Sequence, residues 1–206
     1  MTTTTPRRAL VITSDDEPVT LVDAELREAG FDVHRCVEDG APAFPCVGLT
    51  GGTCPLEAEG GIDVAVDVRQ HPWPHPTLRE TGVTCALRAG VPLVVLSRPL
   101  HPFVDQATVT TDRSDVLAVR CEQAIELALE PVRAAIATEV RAVLSNHDAN
   151  VAFAVAVHRR RGRLHVTITT AAPDDVRRMA ATRAAVAIRR LDQRATGIEI
   201  EVVDPA

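Results

Sequence analysis

The chain opens on a short apolar run, residues 9–12, that gives way at once to Thr-Ser-Asp-Asp-Glu-Pro. The period then changes. Val19, Val22, Leu26 and Ala29 recur at helical intervals and Gly30 closes the segment, which predicts a helix over 18–30. A second strand is expected over 31–36. Residues 37–61 carry neither period, several Gly and Pro, and two cysteines, and read as a long loop. Val64, Val66 and Val68 alternate within a strand over 62–68. Residues 71–76, His-Pro-Trp-Pro-His-Pro, cannot be helical, because each proline removes an N–H and pushes the residue before it out of the helical region. A short helix is expected over 84–89, a buried parallel strand over 92–96 and a short strand over 107–111. Residues 114–129 read as a helix with Val116, Val119, Ala124 and Leu127 among its apolar positions.

After Pro131 the pattern differs. A helix is expected over 132–144, and alternating strands over 151–157 and 164–169 flank a polar turn, which predicts a hairpin. A long Ala- and Arg-rich helix over 173–194 starts at a proline and stops before Gly197, ahead of a last strand over 198–203. The fold class is therefore α/β: an open, mostly parallel sheet over 1–130, then a small α+β domain of order α-β-β-α-β over 131–206.

Charge supports that division. Residues 1–130 hold 10 Arg against 20 acidic residues, a net of −10, and residues 131–206 hold 12 Arg against 8, a net of +4. All the basic residues are arginine. The absence of lysine excludes Schiff-base, P-loop and lysine general-base chemistry. No run reaches the roughly 18 apolar residues of a membrane span, and the Thr-rich first residues lack an apolar signal region, so the expected location is the cytoplasm.

Residues 10–40 resemble the first β-α-β of a bacterial response-regulator receiver domain, a flavodoxin-like fold. The features that carry this are Asp15, Asp16 and Glu17 directly after the first strand, Pro18, a helix ending in Ala-Gly, and a short second strand. The resemblance implies that Asp15 and Asp16 hold a divalent ion, that Asp67 stands nearest the phosphoacceptor and that Ser97 stands for the switch hydroxyl. The family's lysine is missing, Asp67 is about one residue out of register, and the cysteine loop replaces the second helix. A solvated, helix-capping acidic turn is the alternative for Asp15 and Asp16. The C-terminal half vaguely resembles BON-type and alkaline-shock domains.

Cys36, Cys46, Cys54 and Cys85 all fall near the carboxyl edge of a parallel sheet, where open α/β folds bind ligands. Four thiols converging there in a chain without a secretory signal favour a metal over disulfides. The long irregular spacing, the Gly51-Gly52 pair and Cys54-Pro55 fit an iron–sulfur cluster better than zinc, which remains the alternative. His71, His75 and His101 could each replace one thiolate. Cys121 reads as a buried small hydrophobe. Arg159, Arg160, Arg161 and Arg163 crowd one hairpin turn, but only Phe153 is aromatic in that half, so sequence-specific nucleic-acid binding is not expected and a protein partner is.

Three functional readings follow. The first is a non-enzymatic sensor or regulator whose receiver-like domain holds a cysteine-ligated metal centre and signals through the C-terminal domain. The second is a cofactor-free pseudo-receiver interaction module. The third is an enzyme with Cys46 or Cys54 as thiolate and His71 or His75 as base.

Overall fold

The computed structural model describes residues 6–14, 19–37, 40–71, 73–96, 100–148, 150–160, 163–192 and 197–205. The chain divides into two compact units, Met1–Ala128 and Leu129–Ala206.

The first unit contains β1 (Arg8–Thr13), α1 (Thr20–Glu28), β2 (Asp32–His34), β3 (Val64–Val68), α2 (Thr81–Arg88), β4 (Leu93–Leu96), β5 (Val109–Thr111) and the start of α3 (Leu117–His147). Its five strands form one sheet in the order β2-β1-β3-β4-β5, with every pairing parallel. β3 is buried along its whole length, as a central strand covered on both faces must be, and that explains its nearly unbroken apolar sequence. Leu10, Ile12, Ala65, Leu93 and Val95 point to one face. There they form a core with Cys36, Val83 and Ala86, and the cysteine loop adds Cys46 and Leu56. The loop thus covers part of this face of the sheet.

Several boundaries differ from the sequence reading. β2 has three residues instead of six, because the chain turns off the sheet at Cys36, whose carbonyl accepts the Val47 N–H at 2.9 Å. α2 starts three residues early, since the Thr77 and Glu80 capping box builds a 3-10 turn over Leu78–Glu80 that leads into it. In α3 the buried positions are Leu117, Cys121, Ala124, Ile125 and Leu129, while Val119 and Leu127 are exposed. Ala29 is likewise exposed.

The expected break at Pro131 is not there: α3 is one helix of 31 residues with Pro131 inside it, so the division between the units falls within a helix and not in a linker. A proline interior to a helix costs a hydrogen bond and a ring clash. Its exposed side allows this, because Leu129, Val132, Ile136, Val140 and Leu144 keep one buried stripe running past it. Pro131→Ala is accordingly expected to raise stability by about 1–2 kcal/mol in urea unfolding; an unchanged or lowered midpoint would contradict a continuous helix that proline weakens at this position.

In the second unit, α3 is followed by β6 (Phe153–Arg160), β7 (Arg163–Thr170), α4 (Asp174–Leu191) and β8 (Gly197–Val203). β6 and β7 form the expected antiparallel hairpin, and β8 joins β7 in parallel. Leu164, Val166 and Ile168 are buried along with Val176, Ala180, Ala184 and Ile188 of α4, which makes one layer of helix on a three-stranded sheet. Among the described residues no helix is long and apolar enough to cross a membrane.

Candidate functional site

Four of the five cysteines line one cavity of about 240 Å³ between the cysteine loop and α2. Cys36 reaches it from the end of β2, Cys46 and Cys54 from the loop, and Cys85 from α2. Close approach of backbone shapes the cavity. A Cβ on Gly82 would stand 3.2 Å from the Cys36 Sγ, so glycine there lets α2 settle over that sulfur. A Cβ on Gly52 would meet Val47 Cγ2 at 2.6 Å, and Gly51 has φ +90, so the Gly-Gly pair permits the tight turn between Cys46 and Cys54. The Thr50 hydroxyl donates to the Val47 carbonyl at 3.0 Å and braces the same turn.

Burial grades the four thiols. Cys36 is buried, Cys46 and Cys54 are half-buried, and Cys85 is exposed. Burial pushes the Cys36 thiol up to about 12, and negative charge on Cys54, Cys46 and Cys85 adds to the rise. The sulfurs therefore sense one another, yet no three of them lie within 4.8 Å of one another. Cys121 stands apart, buried within α3, as expected of a small core residue.

A second polar cluster lies at the carboxyl end of β3. Arg69 and Glu80 form a fully buried, two-pronged ion pair, with Nε to Oε1 and Nη2 to Oε2 both at 2.5 Å. Arg69 also donates to the carbonyls of Trp73 and, at 3.0 Å, His75, so it holds the proline-rich loop against the sheet. The Thr77 N–H completes the Glu80 carboxylate at 2.6 Å. Beside this pair, Asp67 is wholly buried. Its Oδ2 faces His101 Nε2 at 3.3 Å, outside hydrogen-bond alignment, and neither carboxylate oxygen has a hydrogen bond among the described residues. Burial, the dominant cause, pushes the Asp67 carboxyl up to about 6; the His101 contact opposes it and the Glu80 charge adds to it.

Asp67, Glu80 and His101 are the one set of three described His, Cys, Asp or Glu residues with ligand atoms within 4.8 Å. The bonding of Glu80 and His101 disfavours a cation there. Arg69 already occupies both Glu80 oxygens. His101 Nδ1 accepts the Phe103 N–H at 3.2 Å, which assigns the ring proton to Nε2, the atom a metal would need unprotonated.

The other sequence-derived candidates separate. His71, His75 and His101 do not line the cysteine cavity, so none stands ready to replace a thiolate or to serve a thiolate as base. His101 is directed instead at Asp67, with its Nε2 3.3 Å from Oδ2. Asp15, Asp16 and Ser97 lie outside the described residues, as do Arg161 and the Arg160 side chain. Of the hairpin arginines, the described Arg159 and Arg163 do not share a face. Arg159 pairs with Asp192 beyond α4, while Arg163 pairs with Glu199 on β8 at 3.1 Å, because alternate strand residues face opposite sides. The Arg69–Glu80 pair went unread, although Thr77-Leu-Arg-Glu80 is a capping-box pattern that marks Glu80 as a helix-start acid.

Comparison of the chain with protein-family models, with curated proteins and with solved structures finds no match.

Proposed function

We propose that the chain is a non-enzymatic regulatory or sensor protein whose first unit carries an iron–sulfur cluster on Cys36, Cys46, Cys54 and Cys85, read out by the second unit or by a protein partner. The observation that carries this is the shared cavity: positions up to about fifty residues apart in sequence present four thiols to one space. The long, irregular sequence spacing of the four favours a cluster over zinc, whose structural sites usually take short chelates. The loop gives a bound metal a second support. Residues 40–61 contain one 3-10 turn and no other helix or strand, and a cross-link through metal to β2 and α2 would order such a segment.

Binding must also deprotonate the thiols, and the raised Cys36 value means that its proton leaves only when a cation replaces it. Metal loading therefore falls as pH falls.

Serine substitutions test the reading. Cys36→Ser, Cys46→Ser, Cys54→Ser and Cys85→Ser are each expected to strip most of the iron from protein made without oxygen and to lower Tm non-additively. Cys85→Ser is the most telling, because an exposed helix residue has no packing role to lose. Cys121→Ser is expected to keep full iron and to behave as an isolated core change. Retention of iron by the four variants, or independent effects on Tm, would overturn the site.

A further inference from the structure

The open face of the second sheet carries a row of three ionisable side chains that the cysteine site does not use. His158 on β6 stands directly opposite His165 on β7, and His165 stands directly opposite Glu199 on β8. Residues in register share a face, with Cβ atoms about 4.5–5.5 Å apart between antiparallel neighbours. Helix α4 does not cover this face, since the buried residues of β7 are the alternate ones, Leu164, Val166 and Ile168. His165 Nδ1 lies 2.9 Å from Glu199 Oε2. His158 is exposed and makes no hydrogen bond or ion pair among the described residues.

We infer that His158 and His165 form a surface site for a borderline divalent transition ion, with Glu199 as the residue that positions His165. The Glu199 contact fixes the tautomer: Nδ1–H donates to the carboxylate, and Nε2 is left as an unprotonated ligand. The two nitrogens of an imidazole point to opposite sides of the ring. With Nδ1 toward β8, Nε2 faces away from it, the side on which β6 carries His158. Two imidazoles select zinc, nickel or copper over magnesium and calcium, which prefer oxygen. Arg163 donates to the other Glu199 oxygen at 3.1 Å, so the carboxylate offsets part of its charge. The site stands independently of the cysteine cavity.

The test is residue-specific, so that ions taken up by the cysteines do not confuse it. The full chain, labelled in its imidazoles, is titrated with Ni²⁺ at neutral pH while the Cε1–H signals of all 7 histidines are followed by NMR. The signals of His158 and His165 are expected to broaden together and before that of His147, with no response to Mg²⁺. His158→Gln is expected to weaken the effect at His165 at least tenfold, and Glu199→Gln to weaken it about 10–100-fold at both. Unshifted β6 and β7 amide signals in the variants confirm an intact sheet. Broadening at His165 that survives His158→Gln, broadening no earlier than at His147, or an equal response to Mg²⁺ would each overturn the inference.

Discussion

Replacing Glu80 by Gln is expected to lower the stability of the first unit by about 3–5 kcal/mol, the cost of leaving a buried guanidinium without its counter-charge. The side chains of Arg69 and Glu80 are 2% and 0% exposed, so water cannot take the place of the lost carboxylate. The damage extends beyond the pair. Arg69 also holds the Trp73 and His75 carbonyls, and Glu80 caps the turn that starts α2, the helix that carries Cys85. Urea unfolding of Glu80→Gln should show a lower midpoint together with earlier proteolysis in residues 71–76. The double variant Arg69→Met, Glu80→Leu should lose much less than the sum of the single changes, because no charge is then stranded. A loss under about 1 kcal/mol for Glu80→Gln would place the pair among the exposed kind, which contribute little.

The second large effect is a pH dependence centred on Asp67. Its carboxyl ordinarily titrates at 3.8 and is pushed up to about 6 in the folded chain. Between those values the folded chain holds the proton and the unfolded chain does not. The stability this contributes is fully present below about pH 4 and is lost as pH rises through about 6. The rise corresponds to about 3 kcal/mol at about 1.4 kcal/mol per pKa unit. Asp67→Asn cannot ionise, so it should match the parent near pH 4 and exceed it by up to about 3 kcal/mol near pH 8 in urea midpoints. Parallel pH profiles for the two proteins would mean that the buried carboxylate is ionised and compensated, with His101 as its partner.

The parts of this architecture legible in the sequence are those fixed by local repetition. Leu93–Leu96 reads as a buried parallel strand because burial on both faces leaves no polar position, while Val64–Val68 reads as a strand from its alternating valines and proves buried on both faces. The rule that parallel strands end on one edge placed Cys36, Cys46, Cys54 and Cys85 near a common rim, and the four line one cavity between the cysteine loop and α2. The same rule misassigned the histidines, because sharing an edge does not say which face a loop returns to, and His101 returns toward Asp67. Proline is a strong local stop, so the sequence predicts a break where α3 runs on. The evidence of continuity lay in Val132, Ile136, Val140 and Leu144, which extend the stripe of Ile125 and Leu129. Arg69 and Glu80 are 11 residues apart, and only the tertiary approach of the 3-10 turn to the end of β3 makes them a pair.

The central claim is that the cysteine cavity holds an iron–sulfur cluster, and iron with acid-labile sulfide per chain, measured on protein made and purified without oxygen, tests it most directly. The account predicts iron and sulfide in equal amounts, roughly two to four of each per chain, both lost in Cys85→Ser and both kept in Cys121→Ser. Protein that contains neither, or that contains zinc with no sulfide, would contradict it.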